Sequence, residues 1–143
     1  MASEQGIVLD YTLKGGDFET AGEASSKIKR VLQQIGVRSD VVRRIAISSY
    51  EAEMNVIIHA YRGVLRASIF SDRTELAIED EGPGIADIEM AMQEGYSTAP
   101  DHIREMGFGA GMGLPNMLRC SDEFAIDSVA GEGTKIKIVI RHS

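Results

Sequence analysis

The sequence predicts an α+β domain, with helices packed on one face of a mainly antiparallel sheet. Three observations carry this. Two helical patterns come early and nearly back to back. Short alternating strands separated by a turn follow them. The last third is a hairpin: Phe124, Ile126 and Ser128 alternate, Ala130-Gly131-Glu132-Gly133 turns the chain, and Ile136, Ile138 and Ile140 alternate with Lys135 and Lys137.

Taken in order, Ile7 to Leu13 alternates as a first strand, which Gly15-Gly16 breaks. Asp17 reads as the N-cap of a first helix, with Phe18, Ala21, Ser25, Ile28, Leu32 and Ile35 on one stripe and Gly36 as the stop. A second helix runs from Ser39 to about Ala60. Val42, Ile45, Ser49, Ala52 and Val56 form its inward face, and Met54, Ile57 and Ile58 widen the apolar surface of its later half. Arg62-Gly63 ends it. Strands are expected at Val64 to Phe70 and Glu75 to Glu79, and a short helix at Ala86 to Gln93. Gly95 to Met112 has little periodicity, a length more often functional than idle in a compact domain. Leu114 to Cys120 reads as a helix with Pro115 in its first turn, where a missing N–H costs little.

The 143 residues suggest one domain over 1–143, long enough to bury a core without staples. Hydrophobic residues make up 43% and charged residues 26%, an ordinary globular composition. Fifteen Lys+Arg against 22 Asp+Glu leave a net charge of −7, which argues against nucleic acid and against anionic membranes. Cys120 is the single cysteine, so no internal disulfide forms, and a buried packing role is expected for it. No signal peptide or membrane span is visible, and a cytoplasmic location is the simplest expectation.

Two short stretches bear on chemistry. Glu51 and Asn55 lie four residues apart, so a helix sets them on one face, with His59 a further turn along. A Mg²⁺ ion bound with ATP takes most of its ligands from phosphates and water, so one Asn55 oxygen would suffice. Glu51 could then accept a proton from the group attacking the γ-phosphate. The alternative is a solvated helix face. Glu53 points elsewhere on the helix and is expected in solvent; His59 is expected to be a structural histidine rather than a ligand.

The second stretch is Asp80-Glu81-Gly82-Pro83-Gly84-Ile85, at the end of a strand. A carboxylate is a pure acceptor and could take the amino hydrogens of adenine, while glycines beside it let backbone approach a flat base. A plain surface turn is the alternative. Thr134 offers a hydroxyl to the base or is an ordinary strand threonine. Gly107, Gly109, Gly111 and Gly113 precede the last helix, and their N–H groups could curl around phosphate. Neither G-x-x-x-x-G-K-[ST] nor G-x-G-x-x-G occurs. Arg104 adds a positive charge to the phosphates or is merely solvated.

These motifs resemble a known family. Glu51-x-x-x-Asn55-x-x-x-His59-Ala60-Tyr61 resembles the N-box of the GHKL ATPases, the group that includes gyrase and the histidine kinases. Asp80 to Ile85 is similar to their first glycine box, Gly107 to Leu114 (with Met112) to the second, and Gly133-Thr134 to the terminal threonine motif. The subgroup resembles bacterial anti-sigma-factor serine/threonine kinases. Gly95-Tyr96-Ser97-Thr98 and Ser128 to Thr134 look closer to the switch-kinase branch of partner-switching stress pathways.

The resemblance implies a two-layer α/β sandwich on a mixed, mainly antiparallel sheet, the Bergerat fold. It implies ATP, Mg²⁺ and a serine or threonine acceptor on a small STAS-domain protein. Glu51 would be the base, Asn55 the Mg²⁺ ligand and Asp80 the adenine contact, with Gly82, Gly84, Ile85, Gly107, Gly109, Gly111, Met112, Gly113, Leu114 and Thr134 around the nucleotide. Two rivals stand beside the kinase. One is a nucleotide-switched module that sequesters a sigma factor or activates a phosphatase. The other is a detached sensor-kinase ATPase domain, although no acceptor-histidine helix pair precedes the N-box. The isoleucine-rich strands would allow a homodimer.

Overall fold

The computed structural model describes residues 6–85, 87–93 and 113–143. The elements, in chain order, are β1 (Ile7–Lys14), α1 (Glu23–Gln34), α2 (Ser39–His59), β2 (Arg62–Ile69), β3 (Arg73–Glu81), α3 (Ile88–Ala91), α4 (Gly113–Cys120), β4 (Glu123–Val129) and β5 (Gly133–Arg141). The sheet order is β1-β2-β3-β5-β4, and every neighbouring pair is antiparallel. The expected α+β architecture is what forms. The stretch expected to lack periodicity, 95–112, lies outside the described residues.

Strand alternation sorts the sheet into two faces. Leu65, Ala67 and Ile69 of β2, Leu76 and Ile78 of β3, and Ile136, Ile138 and Ile140 of β5 are buried on the inner face. Ile28 and Leu32 of α1, Ile45, Ala52 and Val56 of α2, and Met117 of α4 pack into the same core. The outer face carries exposed Arg66, Ala77, Lys135 and Lys137. Among the described residues, no helix is long and apolar enough to cross a membrane.

Helix α2 matches its expected bounds, but α1 starts later than Asp17. Asp17 instead closes a turn by accepting from Thr20 Oγ1 (2.8 Å). The helix begins after Gly22, at φ 93°, a left-handed conformation that glycine adopts cheaply. The reason for the later start lies on α2. Glu53 is 1% exposed. Its Oε2 accepts from the N–H groups of Gly22 (3.1 Å) and Ala24 (3.2 Å), and its Oε1 from that of Ser25 (3.2 Å). A carboxylate from another helix therefore does the capping that a local Asp or Ser usually does. The expectation of a solvated Glu53 is thus corrected. Burying a carboxylate is costly unless its oxygens are occupied, and three amides at the positive end of a helix occupy them.

At the other end of α1, Gly36 (φ 82°) stops the helix as expected, with its N–H donating to Gln33 O (3.2 Å). Cys120 also departs from expectation. It is only partly buried, and its carbonyl accepts from Arg44 Nε (3.0 Å).

Glu53→Ala should destabilise the fold by about 2–4 kcal/mol, because it leaves three amides in or near the core without their acceptor. The midpoint of urea unfolding, compared at constant slope, measures this. Glu53→Gln, which keeps one acceptor oxygen, should fall between the two.

Candidate functional site

The inner face of the sheet turns polar at one end. Asp80 continues the row Thr74-Leu76-Ile78 on β3, Thr134 leads the row Ile136-Ile138-Ile140 on β5, and Ser128 follows Phe124-Ile126 on β4. Register brings the three together, with Ile78 opposite Ile136 and Ser128 opposite Thr134. Ser128 Oγ lies 2.9 Å from Thr134 Oγ1, and Thr134 N–H donates to Asp80 Oδ1 (3.1 Å). Ser128 Oγ also accepts from Ile85 N–H (2.7 Å) and lies 3.1 Å from Gly133 O. Sequence reading assigned no role to Ser128, yet it ties the Gly84-Ile85 turn to the start of β5. Its place on the inward parity of β4 was the available signal.

The glycines here are required by neighbouring backbone. A Cβ on Gly133 would lie 2.0 Å from Asp80 O. One on Gly82 would lie 2.9 Å from Ala60 Cα, and one on Gly84 would lie 2.4 Å from Val129 O. Gly84 also has a φ of 72°. These positions hold the strand end, the last turn of α2 and the β4–β5 turn in close contact. Ile85 is half-buried against the core.

Asp80 is partly buried, and burial raises its pKa above the ordinary carboxylate range; the Thr134 amide offsets part of this. Only Oδ1 has a hydrogen-bond partner among the described residues. Across the sheet, Asp80 faces Gly63 of β2. Because Gly63 has no side chain, Val56 of α2 can approach: a Cβ on Gly63 would meet Val56 Cγ1 at 3.0 Å and Asp80 Cβ at 3.1 Å. Helix α2 thus reaches the polar end of the sheet.

Five residues earlier on α2, about 7.5 Å along its axis, is Glu51. It is half-buried and faces the start of α4. Its Oε2 accepts from Asn116 Nδ2 (2.9 Å), and a Cβ on Gly113 would lie 4.0 Å from the same oxygen. The positive end of α4 therefore adjoins a carboxylate, a favourable arrangement. Asn116 escaped sequence reading, since its contact spans 65 residues and no local pattern announces it. Glu51 Oε1 and the Asn55 side chain have no hydrogen-bond partner among the described residues. Leu114, 7% exposed, anchors α4 in the core.

His59 is largely buried, and desolvation lowers its pKa, which keeps the ring neutral near pH 7. Its carbonyl sits 3.4 Å from the position of a Cβ on Gly82. Among the described residues no group of three or more His, Cys, Asp or Glu gathers to hold a metal by itself. Gly107, Gly109, Gly111, Met112 and Arg104 lie outside the described residues. Two clusters therefore result: Asp80, Thr134, Ser128, Gly82, Gly84 and Ile85 at the sheet end, and Glu51, Gly113 and Asn116 between α2 and α4. Asn55 lies on the helix that joins them.

Comparison with known proteins shows the family of the chain. The chain is 34% identical over 115 residues to the serine/threonine-protein kinase RsbT of Bacillus subtilis, covering 78% of this chain and 80% of that protein. It is 33% identical over 142 residues to an anti-sigma F factor of Clostridium beijerinckii, covering 95% and 94%. The structure of the SiaB-SiaC complex from Pseudomonas aeruginosa contains a chain of the same fold, with a TM-score of 0.66, 12% identity, and coverage of 97% of this chain and 92% of that one. The family model of the histidine kinase-like ATPase domain matches residues 16–140. The chain belongs to the histidine kinase-like ATPase domain family.

Proposed function

We propose that the chain is an ATP-dependent protein serine/threonine kinase whose acceptor is a hydroxyl on a small STAS-domain regulator, in a cytoplasmic partner-switching pathway. The observation that carries the nucleotide reading is Asp80 Oδ2. It belongs to a partly buried carboxylate with a raised pKa, and it has no hydrogen-bond partner among the described residues. Such an oxygen suits a ligand that brings its own N–H donors, as the amino group of adenine does. Thr134 and Ser128 extend the polar row beside it, and Gly82, Gly84 and Gly133 keep the row compact.

The triphosphate would run from the sheet end along α2 toward Glu51 and the start of α4. Gly113 and Leu114 open that helix, and the glycines at 107, 109 and 111 with Met112 would complete a cover over the phosphates. Asn55 is the side chain fitted to hold Mg²⁺, since its amide is unpartnered among the described residues and one oxygen is all that such an ion asks of the protein. When bound, the ion neutralises charge on the phosphates.

In the transfer step the acceptor oxygen bonds to the γ-phosphorus. The bond from that phosphorus to the β–γ bridging oxygen breaks, and ADP leaves with the electron pair. The hydroxyl proton passes to Glu51 Oε1. Asn116 holds Glu51 through Oε2, and Oε1, without a hydrogen-bond partner among the described residues, is the oxygen left to take the proton. The relative named as a serine/threonine-protein kinase supports this reading.

A second reading is a nucleotide-switched anti-sigma module with little transfer activity. It is favoured by the relative named as an anti-sigma F factor, which aligns along nearly the whole chain. Incubation with γ-labelled ATP and a co-expressed STAS-domain protein separates the two. Acid-stable label on the partner supports the kinase, while a tight complex without label supports the module.

Glu51→Ala should lower phosphoryl transfer by at least about a hundredfold, the usual contribution of a general base, with ADP affinity changed less than about threefold. Single-turnover labelling alongside calorimetry tests this, and transfer at the wild-type rate would remove Glu51 as base.

Asp80→Asn should separate binding from stability. The Thr134 amide holds the Asn oxygen in the Oδ1 position, which puts Nδ2 where Oδ2 was. Two donors would then face each other at the adenine amino group, and ADP affinity should fall at least about tenfold. Without ligand the variant should be as stable as the native chain near pH 7, or more so. Asp80 has a raised folded-state pKa, so its favourable contribution is present below the unfolded value and lost as pH rises through the folded one. The stability gap should therefore open with rising pH and close near about pH 3, where the carboxyl is protonated in both states. Thermal midpoints at the two pH values measure it.

A further inference from the structure

A groove of about 1030 Å³ runs between α1, α2 and α4, on the helical side of the molecule. Along α2 its lining runs from Ser39 to Glu51, so Glu51, with Asn116 bonded to it, marks one end. Lys29 of α1, Arg43 of α2 and Arg119 of α4 also line it, and Glu51 is the single acid lining it among the described residues. The chain as a whole carries −7, so this is a local reversal of sign.

Two of its cations differ from five arginines elsewhere. Arg62 pairs with Glu81, Arg66 with Asp10, Arg73 with Glu75, Arg141 with Glu123 and Arg44 with Asp122. Lys29 and Arg43 are exposed and form no ion pair among the described residues. Unneutralised cations in a concave site focus potential and attract the opposite charge.

We propose that this groove seats an acidic segment of the protein partner, with the acceptor hydroxyl at the Glu51 end and Asp or Glu side chains along Lys29 and Arg43. This rests on the kinase reading and adds to it the chemistry of the docking segment. Charge complementarity selects the occupant. A basic segment would meet two unpaired cations, and an apolar one would strip them of water. The placement is also economical, because the segment that docks between α1 and α2 already runs toward the residue that takes its proton.

The test uses the intact chain with ADP and Mg²⁺ and two fluorescein-labelled peptides. Each carries one serine, flanked by Asp and Glu in the first and by Lys in the second. Fluorescence anisotropy should show the acidic peptide binding at least about tenfold tighter, despite the chain's net charge, and weakening as salt rises. Lys29→Glu with Arg43→Glu should remove or invert that preference. Lys135→Glu with Lys137→Glu, on the outer face of the sheet, should leave it unchanged. Equal binding of the two peptides, or a preference that survives the first double substitution, overturns the proposal. Parallel samples with γ-labelled ATP keep the two readings apart. Charge-selective binding without transfer retains the groove and removes the kinase, and transfer without charge preference does the opposite.

Discussion

The helical layer depends on one buried carboxylate. Glu53 collects the amides of Gly22, Ala24 and Ser25 and so locks the start of α1 to the middle of α2. Without that lock, α1 would have to begin at a left-handed glycine with no side-chain cap of its own. Glu51 and Asn55 flank Glu53 on the same helix but face other directions, since neighbours two apart on a helix do not share a face. The interaction that fixes α2 against α1 therefore also fixes the rotation of α2, and with it where Glu51 points.

The sheet end follows a different logic. Its polar row is a continuation of the core rows, in which the inward position at this end of each of three strands, the last on β3 and β4 and the first on β5, is Asp, Ser or Thr instead of an aliphatic residue. The same alternation that builds the core thus positions the polar groups. Glycines then admit neighbouring backbone at distances that any side chain would forbid. The outcome is a carboxylate held partly out of water with one oxygen engaged, a costly state that is commonly tolerated where a ligand is bound.

Much of this was legible in the sequence, because much of it is local. The alternation of β3 put Asp80 at a strand end beside a glycine turn, and helical spacing put Glu51 and Asn55 on one face. The N-box and first glycine box, read as a resemblance, pointed to the family that the comparisons then showed. What escaped was long in range. The start of α1 was misplaced because Asp17 is a good local cap, whereas the carboxylate that caps the helix is about thirty residues away. Glu53 looked solvated for the same reason. Asn116 reaches Glu51 across 65 residues, and no local pattern encodes that. The glycines were read as clearance for a flat base, but the structure gives them immediate neighbours in the fold itself.

The polar row also has a consequence for how the chain finds its native state. Side chains in a strand alternate strictly, so a slip of β3 by a single position against β5 would turn Asp80 to the outer face and bring Glu79 inward. Any molecule that requires Asp80 and Thr134 side by side would recognise only correctly aligned strands. A ligand of that kind would act as a proofreader of sheet alignment, drawing misaligned chains toward the proper pairing by mass action.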